Sequence, residues 1–179
     1  MRNPFLVGDK IYLRQIEGKD LNENYQSWFN DSEICMFNSH HRFPNYKENM
    51  QEYYNKIIKS KNNLILAIVD KDSDKHIGNI SLQNIDYINR SAELAIIIGD
   101  KDYWGKGIGK SACKLIINHG YSSLNLNRIF CGTSSENKAM QKLAETIGFK
   151  KEGVSRQAIY KSSNYNDVIN YGLIRYEYK

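Results

Sequence analysis

Proline is almost missing from this chain, at 2 of 179 residues, and cysteine is scarce, at 3. So little proline beside 12 glycines excludes collagen-like and linker-like character. Cys35, Cys113 and Cys131 form no Cys-x-x-Cys pair, and His40, His41, His76 and His119 stand at no ligand spacing from them. No metal is therefore expected, and the cysteines read as buried thiols of a reducing compartment. Long apolar runs are lacking too, with nothing near the roughly 18 residues that span a bilayer. Residues 1–9 carry too short an apolar stretch for a signal peptide. A cytoplasmic protein without membrane contact is expected. Charge of one sign is also weak: 25 basic and 20 acidic residues leave +5, with no run of five like charges. Thirteen tyrosines fit the composition of nucleic-acid binders, but no helix-turn-helix, RNP or zinc-finger spacing accompanies them, so no nucleic-acid partner is expected. The small surplus favours an anionic cofactor or substrate.

What is present describes one globular domain over residues 1–179, 41% apolar and 25% charged, with no repeat or linker. A chain of this length buries about 70% of its unfolded surface without disulfides or metal. Ile11–Gln15 alternates as a first strand. Asp20 is expected to cap a helix reaching Phe29, with Leu21, Tyr25, Trp28 and Phe29 on one face. A second helix is expected over Tyr46–Lys59. The period then changes to that of three antiparallel strands: Leu64–Val69, Ile77–Tyr87 and Ala92–Gly99, joined by turns at Asp70–Asp74 and Asn89–Ser91. From Gly107 the helical period returns. Arg128–Thr133 reads as a short buried strand, and Ser135 as the cap of a helix ending at Gly148. Phe149–Glu152, Gln157–Tyr160 and Val168–Tyr176 read as closing strands. The order β-α-α-β-β-β-α-β-α-β-β predicts an α+β fold around a mostly antiparallel central sheet.

The most informative stretch is Tyr103-Trp104-Gly105-Lys106-Gly107-Ile108-Gly109-Lys110-Ser111, between the strand ending at Gly99 and the helix opening near Gly107. Three alternate glycines allow close backbone approach to a ligand and turn successive N–H groups outward. With a helix dipole behind them, those donors suit a pyrophosphate. A P-loop is excluded because its first glycine would fall on Trp104, and a Rossmann turn because position 110 is lysine. Both also need a parallel βαβ unit, whereas these strands read as antiparallel hairpins.

Trp104-Gly105-Lys106-Gly107-Ile108-Gly109 resembles the [Gln/Arg]-x-x-Gly-x-Gly/Ala signature of the GNAT acyl-CoA N-acyltransferases, with Trp104 where Gln or Arg is usual. That replacement is frequent in the branch resembling ribosomal-protein N-acetyltransferases. Ala92–Ile98 looks like the family's fourth strand. Glu136-Asn137-Lys138-Ala139-Met140 and Ile147-Gly148-Phe149-Lys150-Lys151-Glu152-Gly153 resemble its Glu-Asn-x-x-[Ser/Ala] and Leu-Gly-Phe-x-x-Glu-Gly segments. The likeness covers nearly the whole chain.

The resemblance implies a GNAT-like sheet flanked by helices, with strands splayed at the cofactor site, and acetyl-CoA as acetyl donor. Pantetheine would lie between Ala92–Gly99 and Arg128–Thr133, hydrogen-bonded to Ala95, Ile96 and Ile97, one N–H polarising the thioester carbonyl. The pyrophosphate would rest on Trp104, Gly105, Lys106, Gly107, Ile108, Gly109 and Lys110, with Asn137 holding the pantetheine arm or the adenine side. A neutral amine attacks directly, which calls for a base, and Glu93 interrupts an apolar strand beside the expected thioester. The tyrosine that protonates the leaving thiolate in many relatives falls on Ala144, and the serine of ribosomal-protein relatives on Met140. Ser134, Ser135 and Tyr160 remain as donors, or none is needed. The stretch after Glu33, where spermidine-acetylating relatives place carboxylates, carries His40, His41 and Arg42 instead. Those residues suit an anionic, hydroxylated small-molecule amine, a nucleotide-linked amino sugar. N-terminal acetylation of a protein and an inactive acyl-CoA-binding protein are the alternatives, and a homo-oligomer is compatible with all three readings.

Overall fold

The computed structural model describes residues 1–178. A single eight-stranded sheet has the order β1-β2-β3-β4-β5-β6-β8-β7. The strands are β1 Leu6–Val7, β2 Ile11–Gln15, β3 Leu64–Asp70, β4 His76–Asp86, β5 Ser91–Ile98, β6 Arg128–Ser134, β7 Lys150–Lys161 and β8 Asn164–Ile174. All neighbours are antiparallel except β5 and β6, which run parallel. The glycine turn and the helix after it connect these two strands, so the turn does lie in a parallel β-α-β unit, against the expectation of hairpins, and glycine spacing alone separates it from a P-loop or Rossmann turn.

Period-2 alternation sorts each strand between two faces. On one face, α3 (Ile108–Ser122) and α4 (Lys138–Ile147) bury Ala112, Ile116 and Ala144 against Leu82, Leu94, Ile129 and Cys131 in the main core. On the other, α2 (Lys47–Ile57) covers Tyr12, Ala67 and Val69 through Tyr54 and Ile57. Helix α1 (Glu23–Asn30) packs Tyr25 and Trp28 with Leu21 and Met50 beside it. Gly99, just past β5, lies directly under the Trp28 indole, where even a Cβ would collide with the ring. The helices of this second face stop short of β6–β8, so that end of the sheet is open.

Local chemistry moved several boundaries. Helix α1 is capped by Asn22, whose Oδ1 accepts from the Tyr25 N–H at 3.0 Å, and not by Asp20. Helix α4 is capped by Asn137, whose Oδ1 accepts from the Met140 N–H at 3.0 Å, and not by Ser135. The two short strands expected between Phe149 and Tyr160 are one strand, β7, carried past register shifts at Lys151/Gly153 and Ser155/Ile159. Strand β1 is two residues long, too short to show a period.

Asp20 sits instead in a single 3-10 turn, Gly18–Asp20, and is buried. Arg14 of β2, also buried, donates to both its oxygens at 2.6 and 2.7 Å, and the Glu17 N–H adds a third bond at 2.8 Å. From there a polar chain crosses the sheet. His76 approaches Asp20 at 3.8 Å and bonds Asn79 Oδ1 at 2.8 Å, and Asn79 donates to the Tyr25 hydroxyl at 3.0 Å. The α1 helix is thus tied to β2 and β4 through buried groups. Burial works against charge on the Asp20 carboxyl, but the Arg14 and Glu17 hydrogen bonds outweigh it and hold the group below its usual range.

Removing one partner leaves the other charge buried alone, a loss of about 3–5 kcal/mol. Asp20→Ala should therefore destabilise the protein by about that much in urea unfolding at pH 7. A depressed folded-state value makes this contribution complete above the unfolded carboxyl value near 3.9, and lost as pH falls through the folded one. The gap between wild type and variant should narrow below about pH 4. A gap that holds constant from pH 7 to pH 3 would contradict the ion-pair account.

Candidate active site

The sheet splits between β5 and β6. These strands pair only at Ser91 with Arg128, Ala92 with Ile129 and Glu93 with Phe130. Beyond that point β5 stays bonded to β4 as far as Ile98 with Gly78, and β6 to β8 as far as Ser134 with Val168. Each strand follows its outer neighbour, so the edge of β5 from Leu94 to Ile98 faces the gap without a strand partner. Ala95, Ile96 and Ile97 lie on that open edge, where an extended amide-bearing chain can add β-type hydrogen bonds.

At the far end of the open edge, a one-turn 3-10 helix (Lys101–Tyr103) leads into the glycine turn. Trp104 Nε1 donates to the Ile98 carbonyl at 2.9 Å, pinning the turn to the end of β5. Gly105 and Gly107 have φ of 73° and 79°, the left-handed region that side chains with a Cβ avoid. Among the described residues, none of the backbone N–H groups from Gly105 to Lys110 donates within the chain. The first to do so is Ser111, to Gly107 O at 3.1 Å. Six free donors at the start of the 15-residue α3 make an anion cradle, with exposed Lys106 and Lys110 beside it. These features fit a pyrophosphate.

A Cβ at Gly105 or Gly107 would meet no other atom of the chain, so within the fold it is the left-handed backbone that calls for glycine at these two positions. Gly109 lies inside α3, and a Cβ there would press on Leu143 of α4 at 3.3 Å. Gly109 thus lets α4 pack closely as well as keeping its own N–H among the six of the cradle. Asn137 has its Oδ1 committed to the α4 cap, which leaves its amide Nδ2 as the group able to donate to a ligand.

Glu93 stands at the crotch of the split, on the face away from α3 and α4, because Ala92 and Leu94 on either side belong to the main core. It is half-buried, receives the Asn84 amide at 3.4 Å, and borders a cleft of about 470 Å³. Beside it on β4, Gln83 donates to Ser81 Oγ at 2.8 Å, giving a polar row under an otherwise apolar sheet. Burial, with the Glu93 charge adding, pushes the Cys131 thiol up to about 12, and burial does the same for Cys113. Neither thiol is a nucleophile at neutral pH.

The loop between α1 and α2 bridges the mouth of the split. On the β5 side, Lys101 Nζ holds Asp31 at 2.8 Å and Glu33 at 2.5 Å. On the other side it meets the tip of the β7–β8 hairpin: Arg42 donates to Tyr160 O at 3.3 Å, and Lys161 Nζ to His40 O at 2.5 Å. The His40 ring packs edge-on against Phe29 at 4.8 Å, and partial burial there, with the Lys161 charge nearby, holds the imidazole below its ordinary value. His41 is exposed, with φ of 58°. His40, His41 and Arg42 thus sit across the mouth, two of them partly engaged in holding the bridge. The hairpin's part, through Tyr160 and Lys161, is separated by more than 100 residues from its partners and leaves no local signal in the sequence. Ala144 and Met140 bring no hydroxyl to α4. Ser134 Oγ accepts from the Glu136 N–H at 3.2 Å, Ser135 is half-buried beside it, and Tyr160 belongs to the bridge.

A split parallel pair with an anion cradle at its end can hold a ligand that joins an extended amide-bearing arm to a pyrophosphate, as acyl-CoA does. The family profile of the acetyltransferase (GNAT) domain matches residues 10–150, and the chain belongs to that family. It is 30% identical over 173 residues to a spermidine N(1)-acetyltransferase of Vibrio cholerae, covering 96% of this chain and 97% of that one. A putative ribosomal N-acetyltransferase of Bacillus subtilis is 35% identical over 102 residues, 57% of this chain and 55% of that one. Among solved structures, spermidine N-acetyltransferase from Vibrio cholerae in complex with CoA and spermine superposes with a TM-score of 0.86. It is 26% identical, with 94% of this chain and 98% of that one covered. The protein is an acetyl-CoA-dependent N-acetyltransferase, with acetyl-CoA as donor. Among the described residues no helix is long and apolar enough to cross a membrane.

The glycines make separable predictions. Gly107→Val forces a β-branched residue into left-handed backbone and crowds the cradle, so acetyl-CoA affinity should fall at least about 10-fold, roughly 1.4 kcal/mol, with the circular dichroism spectrum retained. Gly109→Ala should lower the thermal midpoint while changing acetyl-CoA affinity little. Unchanged affinity by calorimetry in folded Gly107→Val would remove the pyrophosphate from this turn.

Proposed function

We propose that this enzyme acetylates the primary amine of a small molecule by direct attack on the thioester, with Glu93 as general base. The observation that carries this is the position of Glu93, at the crotch where the strand pairing stops and beside an open cleft. Glu93 takes the ammonium proton, directly or through water, and the freed amine forms the new C–N bond as the C–S bond breaks. An N–H of the Ala95–Ile97 edge donates to the thioester carbonyl as negative charge builds on it. The N–H cradle from Gly105 to Lys110, with Trp104 fixing its start, holds the pyrophosphate. The Asn137 amide donates to the donor's arm. The sulfur leaves with the bonding pair and takes a proton from solvent.

For the acceptor, the proposal is an amine whose remaining groups are neutral or anionic, such as a nucleotide-linked amino sugar. From Ile34 to Lys47 the bridging loop has no carboxylate, and Arg42 and Lys161 stand at its contact with the hairpin. A polycation meets repulsion there. Acetylation of a polyamine is the second reading, favoured by the spermidine enzymes among the relatives. A homo-oligomer is supported by a neighbour described as dodecameric, and a cytoplasmic setting by three unpaired cysteines.

Two experiments bear on this. Glu93→Gln should lower turnover about 10²-fold at neutral pH, with part of the loss recovered at high pH where the amine is already neutral. Wild-type turnover across pH 6–9 would place the base elsewhere. In parallel, thiol release is measured with acetyl-CoA and three acceptors: a UDP-linked amino sugar, spermidine and a Ser-starting peptide. The amino sugar should give the highest kcat/KM, and Arg42→Ala should raise its KM in a salt-sensitive way. A preference for spermidine would refute the charge argument.

A further inference from the structure

The cleft beside Glu93 lies on the open face of β5, β6 and β8, and its walls have a definite chemistry. Phe130 and Gly132 of β6, and Val168 and Asn170 of β8, alternate with core residues and so face outward together. Gly132 is the low point of the floor: a Cβ there would stand 3.1 Å from Val168 Cγ1 and 3.5 Å from Asn170 Oδ1. Asn170 donates its amide to Ser155 Oγ at 3.0 Å, leaving its oxygen over the floor as an acceptor. The end of the cleft is closed by Arg128 of β6 and Glu152 of β7. Their two-pronged ion pair, one prong at 2.6 Å, lies across Gly172, where no β8 side chain would fit. Arg128 also sits 5.7 Å from the Phe130 ring.

Resting on the function proposed above, we infer that this cleft is the acceptor pocket and that it is built for one ammonium on a compact body. The charges decide this. Arg128 and Glu152 neutralise each other, so Glu93 is the one uncompensated charge among the lining residues. One carboxylate matches one amine, whereas each further ammonium of a polyamine gives up hydration for no partner. The Phe130 ring, bare Gly132 and the Asn170 oxygen offer an apolar face and a hydrogen-bond acceptor to a flat, hydroxylated ring. At about 470 Å³ the cleft falls within the range of ordinary small-molecule sites.

Two substitutions on this open face test the inference, in the full-length protein. Gly132→Leu fills the floor from an exposed position of ordinary backbone conformation. It should raise KM for the UDP-linked amino sugar at least about 10-fold, leaving the acetyl-CoA dissociation constant by calorimetry within about threefold. Arg128→Gln removes the cation and frees Glu152, so kcat/KM for spermidine relative to the amino sugar should rise about 10-fold. An unchanged KM in Gly132→Leu overturns the pocket, as does a parallel loss of acetyl-CoA affinity, which would put the cleft on the donor's path. An unchanged spermidine ratio in Arg128→Gln overturns the one-charge argument. A wild type that acetylates neither amine overturns the proposed function and this pocket with it, whereas wild-type turnover unaffected by Gly132→Leu removes the pocket alone.

Discussion

The loss of pairing between β5 and β6 after Glu93 and Phe130 is the constraint on which the site depends. An unpaired strand edge in a sheet interior costs hydrogen bonds unless something else supplies them. Here the strands are kept apart by registers they share with β4 and β8, so the gap belongs to the fold. The glycine turn continues from the open strand, and Trp104 bonds back to Ile98 to fix the angle. Edge, cradle and carboxylate are therefore brought together along β5 and its continuation. Closing the gap would remove the open edge that lies between the other two.

The second face of the sheet exists to hold the bridge over this gap. Helix α1 is anchored through its aromatic residues, with Trp28 packed on Gly99 and the Tyr25 hydroxyl accepting from Asn79. That contact continues through His76 to the buried Arg14–Asp20 pair. Buried ion pairs add little net stability relative to apolar packing, but a wrong placement of either group is costly. Such a network fixes where α1 ends and hence where the loop carrying His40, His41 and Arg42 begins. Lys101, binding both Asp31 and Glu33, secures the same loop from the β5 side.

Much of this was legible in the sequence because it is local. The helices and most strands follow periodicity, and the cradle follows from glycine spacing between a strand and a helix. Glu93 stood out as one charge in an apolar strand. What was not legible is either longer in range or decided by competition between similar residues. Asp20 and Asn22 both suit a helix cap, and only the buried Arg14 across the sheet settles that Asp20 is elsewhere. Ser135 and Asn137 compete in the same way. That Gly109 also makes room for Leu143 of α4 follows only once the two helices are placed together. The cleft of Phe130, Gly132 and Asn170 has no sequence signature, since its members become neighbours only through strand register.

That Ala144 and Met140 bring no hydroxyl to α4 is intelligible from magnitudes. A thiol leaving group with a value near 8.5 departs as thiolate at pH 7 with a handicap of about 1.5 units, roughly 2 kcal/mol. An ordinary alkylamine near 10.4 is protonated by more than 3 units, a cost of about 4–5 kcal/mol before attack can begin. Removing the ammonium proton is the larger demand, and it is the one that the proposed mechanism gives to Glu93. An amine near 8, the range of an α-amino group, asks for only about 1.4 kcal/mol. On these magnitudes one half-buried carboxylate at the crotch meets the larger demand of the proposed reaction, and a dedicated acid is the lesser need.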